Sequence, residues 1–199
     1  MDMDPADRKA DSTSTPAAAA GQPFWVFAYG SLMWRPDFPH VEERPARLKG
    51  YRRAMCILSN HYRGTHERPG LVLGLDRGGS CLGRAFRVED ALADAVRQTL
   101  HDREMITGVY APRFLPVTLD DGRRVAAWAF LARRDHDQYV ADDLDRAVAL
   151  IRQGVGQAGT SRDYLACTLD ALAAMGVEDK ALRRLLARVD DAGGPPADS

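Results

Sequence analysis

Apolar residues change their spacing along this chain, from short strand-like runs to helical periodicity, and that order limits the folds open to it. Phe24-Trp25-Val26-Phe27-Ala28 is an apolar and aromatic run that stops just before Gly30, which predicts a buried strand. Further strands are predicted over residues 47–59, 71–75 and 81–88, with a Gly- and Pro-containing loop over 60–70 and a turn at Asp76-Arg77-Gly78-Gly79. Residues 89–104 read as a helix, with Glu89 and Asp90 favourable at its positive end. Residues 113–119 and 124–132 predict a hairpin across Asp120-Asp121-Gly122. From there the spacing is helical, over 141–153, 162–175 and 179–189, with breaks at Gly154, Gly156, Gly159 and Gly176. Strands followed by helices, without regular alternation, predict an α+β domain with a mostly antiparallel or mixed sheet rather than a doubly wound one.

The folded unit is expected over residues 24–189. Residues 1–23 are polar, Ala-rich and Pro-containing and offer nothing to bury, so they are expected to be a disordered extension. Residues 190–199, DDAGGPPADS, read as a loose tail. The net charge of -1, with Arg and acidic residues interleaved, speaks against nucleic acid as a partner. No apolar run reaches the ~18–20 residues of a membrane helix, and acidic residues in place of an apolar leader predict a cytoplasmic protein. Cys56, Cys81 and Cys167 are widely spaced with no CxxC, which predicts buried structural thiols in a reducing compartment. His61 and His66 share a loop with no further ligand at metal spacing, so no metal site is predicted, and no phosphate-binding glycine loop is present.

Glu104 is the most informative single position. Leu92, Val96 and Leu100 form an i, i+4, i+8 ridge, and the next member of that ridge is 104. The spacing sets a carboxylate near the apolar face at the helix end, where loss of water raises its pKa and suits it to proton transfer. The alternative is a helix that ends sooner, with Glu104 paired to Arg103. Tyr29-Gly30-Ser31-Leu32 follows the first strand, where a sharp turn converges backbone N–H groups on a developing oxyanion or simply ends the strand. Arg63, on the loop before Pro69-Gly70, suits a substrate carboxylate or bulk solvent. Thr160 or Ser161 is placed to cap a helix whose first turn carries Tyr164, a core or pocket residue.

Taken in order, these segments resemble the ChaC-like γ-glutamylcyclotransferases. Val26-Phe27-Ala28-Tyr29-Gly30-Ser31-Leu32-Met33-Trp34-Arg35-Pro36-Asp37-Phe38 is similar to the family's opening signature. Gly50-Tyr51-Arg52-Arg53, Arg63-Gly64-Thr65, Pro69-Gly70-Leu71-Val72-Leu73 and Gly83 continue the pattern. Arg103-Glu104 followed by Tyr110 resembles its catalytic R-E segment, and Tyr139, Gly156, Gly159 and Asp163-Tyr164-Leu165 match its C-terminal half. The match spans the whole expected folded unit. Ala28 stands where Gly is common, and Ser161 where Asn is often found.

The resemblance implies a small mixed-strand β-barrel with surrounding helices. It implies cleavage of glutathione to 5-oxoproline and Cys-Gly, with no cofactor and no metal. Glu104 matches the acid–base glutamate. Val26, Phe27, Ala28, Tyr29, Gly30, Ser31 and Leu32 match the loop that receives the γ-glutamyl group, and Tyr164 matches a pocket tyrosine. Two rivals stay open: a cyclotransferase for other γ-glutamyl amines or dipeptides, and a non-catalytic module that binds γ-glutamyl groups.

Overall fold

The computed structural model describes residues 22–191. The expected disorder up to residue 21 and the expected tail from residue 192 lie outside the described residues. Five strands form a closed barrel: β1 (Trp25–Ala28), β2 (Glu42–Ser59), β3 (Gly70–Arg87), β4 (Tyr110–Leu119) and β5 (Arg124–Ala132). Their order around the wall is β1-β3-β2-β4-β5, antiparallel except where β5 meets β1 and β3. A two-stranded ribbon, β6 (Val155–Gly156) with β7 (Gly159–Thr160), lies outside it.

All four residues of β1 are buried, and they alternate between two cores. Trp25 and Phe27 join the cluster with Leu48, Leu73 and Val117, while Val26 and Ala28 join the one with Phe86, Leu100 and Trp128. That is the period of two expected of a strand covered on both faces. β1 pairs with β3 from Trp25↔Arg87 to Ala28↔Arg84 and with β5 at Trp25↔Ala127 and Val26↔Trp128. β3 and β5 also meet directly, at Leu75↔Leu131. The wall therefore closes without β1 beyond Ala28, and the chain is turned out of it at Tyr29-Gly30.

β3 runs unbroken through residues 76–79, where a turn is expected from the sequence. The register slips there instead: Lys49 faces Ser80 and Tyr51 faces Arg77, so Gly50 opposes Gly78 and Gly79. All three glycines have positive φ, at 85°, 100° and 68°. A turn and a bulge make the same demand on glycine, and only the pairing of a long partner strand separates them. The strand over 47–59 likewise begins earlier, at Glu42.

The helices are α1 (Ala93–Glu104), α2 (Leu144–Gln153), α3 (Ser161–Ala174) and α4 (Lys180–Asp191). Asp190 and Asp191, expected in the tail, form the last residues of α4. α2, α3 and α4 pack on one another, with α2 and α3 also against β3, while α1 buries Val96 and Leu100 in the second core. Leu92 departs from the expected ridge: it sits in a 3₁₀ turn ahead of α1 and is exposed. Cys167 departs from the expected burial, being exposed, while burial pushes the thiols of Cys56 and Cys81 up to about 12 and about 11. No helix among the described residues is long and apolar enough to cross a membrane.

Candidate active site

The sharp exit from β1 is built by a 3₁₀ turn over Ser31–Met33, in which Met33 N–H donates to Gly30 O (2.8 Å) and Arg35 N–H to Ser31 O (2.8 Å). The leading N–H groups of such a turn, those of Ser31 and Leu32, have no main-chain acceptor within it. Arg53, buried in β2, holds this turn from below. Its Nε donates to Tyr29 O (2.6 Å), its Nη2 to Leu82 O (2.5 Å), and its Nη1 lies 3.6 Å from Asp179 Oδ2. The Tyr29 hydroxyl donates to Phe130 O (2.8 Å), so Tyr29 is fixed at both ends.

Glu104 is the last residue of α1, on the face defined by Val96 and Leu100. Both sequence readings of it meet in the structure. The helix reaches position 104, and Glu104 Oε1 lies 3.3 Å from Arg103 Nε. Burial raises the Glu104 carboxyl above the ordinary carboxylate range, and the Arg103 charge offsets that only in part. The same guanidinium donates to Ser31 Oγ (3.0 Å) and Asp37 Oδ2 (3.2 Å), tying the helix end to the turn after β1.

Tyr164 sits in the first turn of α3. Thr160 caps that helix, its Oγ1 accepting from Asp163 N–H (2.9 Å). Ser161 instead bonds the start of β3: its Oγ accepts from Leu71 N–H (2.9 Å) and donates to Leu71 O. This lock aims the Tyr164 ring inward, edge-on to Trp34 at 5.6 Å. Burial pushes the Tyr29, Tyr110 and Tyr164 hydroxyls up, and the charge of Glu104 adds to each. All three remain neutral, and those of Tyr29 and Tyr110 are engaged with Phe130 O and Leu73 O (2.7 Å).

These groups surround two joined spaces. The outer cavity, about 320 Å³, is lined by Ser31, Trp34, Arg63, Glu104, Tyr110 and Tyr164, among others. A small inner recess, about 30 Å³, adds Tyr29, Gly30, Leu32, Leu73 and Phe130. Ser31, Glu104, Tyr110 and Tyr164 line both and mark the junction. Thus Tyr29, Gly30, Ser31, Leu32, Glu104 and Tyr164 line these two spaces together. Val26, Phe27 and Ala28 do not: they are fully buried in the wall and line neither space, so they set where the turn begins. Sequence reasoning assigned no site role to Arg53 or Arg103. Both stand in the quoted segments, but nothing local marks a strand arginine as turned inward.

A carboxylate of raised pKa that shares a cavity with the turn at Gly30-Ser31-Leu32 suits proton transfer. The family described as ChaC-like protein matches residues 24–192. A glutathione-specific γ-glutamylcyclotransferase of Escherichia coli K12 is 38% identical over 168 residues, 84% of this chain and 73% of that one. Glutathione-specific γ-glutamylcyclotransferase 1 of Homo sapiens is 30% identical over 179 residues, 87% of this chain and 79% of that one. In fold, the chain is similar to a crystal structure of a yeast γ-glutamyl cyclotransferase specific to glutathione, with a TM-score of 0.78 at 22% identity, covering 85% of this chain and 96% of that one.

Proposed function

The chain belongs to the ChaC-like family, and from that premise we propose that it is a γ-glutamylcyclotransferase that cleaves glutathione into 5-oxoproline and Cys-Gly. The observation that carries the reading is Glu104, a carboxylate with raised pKa at the junction of recess and cavity, facing the turn at Gly30-Ser31-Leu32.

The substrate holds its own nucleophile, the α-amino group of the γ-glutamyl residue. At neutral pH that amine is mostly protonated and does not attack. Glu104 accepts its proton, and the freed nitrogen adds to the γ-carbonyl carbon to close a five-membered ring. The carbonyl oxygen takes up negative charge, and in this reading the N–H groups of Ser31 and Leu32 receive it, each such donor being worth ~3 kcal/mol. Glu104 then protonates the cysteine nitrogen, the carbon–nitrogen bond breaks, and Cys-Gly leaves. The ring nitrogen still carries a second proton, which Glu104 passes to the departing amine, so both protons lost by one nitrogen reach the other, the carboxylate is regenerated and no water is consumed. Tyr164 and Trp34 hold the substrate folded on itself, which supplies the orientation that an extended chain lacks. Three free thiols suit a reducing compartment, and we take the cytoplasm as the site of action.

Purified protein incubated with glutathione, without added metal, is expected to yield 5-oxoproline and Cys-Gly in equal amounts. Glu104→Gln is expected to fold normally and to lose at least ~100-fold in activity. Intact glutathione in the wild-type sample, or undiminished activity in the variant, overturns the assignment.

A further inference from the structure

The outer cavity holds three arginines, and they differ in what neutralises them. Arg35 lies 3.6 Å from Asp37, and Arg103 lies 3.2 Å from Asp37 and 3.3 Å from Glu104. Arg63 has no acidic side chain within ion-pair distance among the described residues. Asp163, whose charge reaches it from further off, pairs with Arg162 at 3.5 Å instead.

Arg63 is nevertheless held in place. Its main-chain N–H donates to Ser59 Oγ (3.0 Å), its Nη1 to Thr160 O (3.2 Å), and its guanidinium carbon stands 5.4 Å from the centroid of the Tyr164 ring. One of five guanidinium donors is thus used, and the group is half-buried in the cavity wall. Burial works against this charge, pushing the guanidinium below its ordinary value, with no carboxylate in contact to offset it. A fixed, partly dehydrated cation with free donors is complementary to a carboxylate brought by a ligand.

Its place decides which carboxylate. Arg63 lines the outer cavity and not the inner recess, whereas, in the turn proposed to receive the γ-glutamyl group, Gly30 and Leu32 line the recess alone and Ser31 the junction. On that reading the leaving dipeptide, ~7 Å long when extended, points outward from the junction into the part of the cavity that Ile57, Val72 and Val109 also line. Resting on the reading above, we propose that Arg63 is the specificity-determining residue that binds the C-terminal carboxylate of the leaving dipeptide, so that γ-glutamyl peptides are selected over γ-glutamyl amines.

The test compares glutathione with two analogues on the full chain. One is its C-terminal amide, γ-glutamyl-cysteinyl-glycinamide. The other is 4-aminobutyryl-cysteinyl-glycine, which lacks the α-carboxylate and closes to a pyrrolidinone. Wild-type kcat/KM is expected to favour glutathione over the amide by roughly 10- to 100-fold, the range of a charge-assisted hydrogen bond. In Arg63→Met that ratio is expected to fall towards one, with Arg63→Lys in between. The wild-type ratio needs no variant, so a misfolded Arg63→Met leaves the proposal exposed to refutation. Equal wild-type rates on glutathione and its amide overturn it. So does an Arg63→Met defect that persists on the amide and vanishes on the 4-aminobutyryl analogue, which assigns Arg63 to the α-carboxylate. No turnover of glutathione overturns the proposed function and this inference with it, whereas turnover with a flat ratio overturns the inference alone.

Discussion

The hydroxyl of Tyr164 stands 2.7 Å from where a Cβ on Gly30 would sit, so no side chain fits at position 30 while that tyrosine keeps its place. The turn after β1 and the first turn of α3, more than a hundred residues apart in the chain, are in mutual contact through an absent side chain. This close approach is what calls for glycine at position 30.

Gly30→Ala is expected to lower stability by about 1–3 kcal/mol, the usual cost of overpacking, and to cut turnover by displacing Tyr164. Removing the oxygen it strikes, in Gly30→Ala with Tyr164→Phe, is expected to recover most of that stability. Thermal denaturation of the two single variants and the double variant measures the coupling; strictly additive losses would refute the contact.

The pH dependence of turnover follows from the ionised form of Glu104 being the base. Its carboxyl is raised by burial, so kcat/KM is expected to rise with pH through a value above the ordinary carboxylate range. Arg103 is the cation in contact with it, and the other titratable groups facing it, Tyr29, Tyr110 and Tyr164, are neutral. Arg103→Met is therefore expected to move this acid limb to higher pH. A pH–rate profile of each protein decides it, an unmoved limb counting against the pairing.

The same shift has a cost in stability. A carboxyl whose folded pKa is raised binds more protons folded than unfolded, so stability falls as pH rises from the ordinary carboxylate value through the folded one. Glu104→Gln does not titrate. It is expected to be more stable than the wild type by about 0.5–2 kcal/mol at pH 8, and to lose that advantage near pH 4. Urea denaturation at the two pH values tests the sign.

Arg53→Met removes the donors to Tyr29 O and Leu82 O and leaves Asp179 without its cation. The expected loss is about 2–4 kcal/mol, together with weaker turnover because the turn after β1 loses its support. Arg53→Lys is expected to recover part of both. A chemical denaturation curve unchanged in Arg53→Met would remove Arg53 from this role.

Asp76, 1% exposed, accepts from Arg134 Nε (2.6 Å) and Nη2 (2.9 Å) and from Arg52 Nη2 (2.8 Å). Burial pushes its carboxyl up, but the Arg134 bonds, the Arg77 N–H and the two arginine charges outweigh that and hold it below the ordinary value. Its contribution is present above the unfolded pKa and is lost as pH falls through the folded one. Because both arginines are part-exposed, Asp76→Asn is expected to cost a modest ~1–3 kcal/mol at pH 7, and less in acid. Equal stability of the two proteins at pH 7 would show the cluster to be solvated surface.

The sequence by itself determined the α+β class, the hairpin over residues 113–132, a capping hydroxyl at Thr160 or Ser161 ahead of α3, and the face on which Glu104 lies. Each follows from local spacing, the period of two, the period of 3.6 and the three-residue reach of a capping hydroxyl, which the chain carries without reference to distant partners. Tertiary structure alone decided that glycines 78 and 79 bend a strand rather than end it, that Val26, Phe27 and Ala28 are wall rather than pocket, and that Arg53 and Arg63 turn towards the site. Those outcomes depend on which segments meet across the closed barrel. Pairing and burial are properties of two chain segments at once, and no single stretch of sequence holds both.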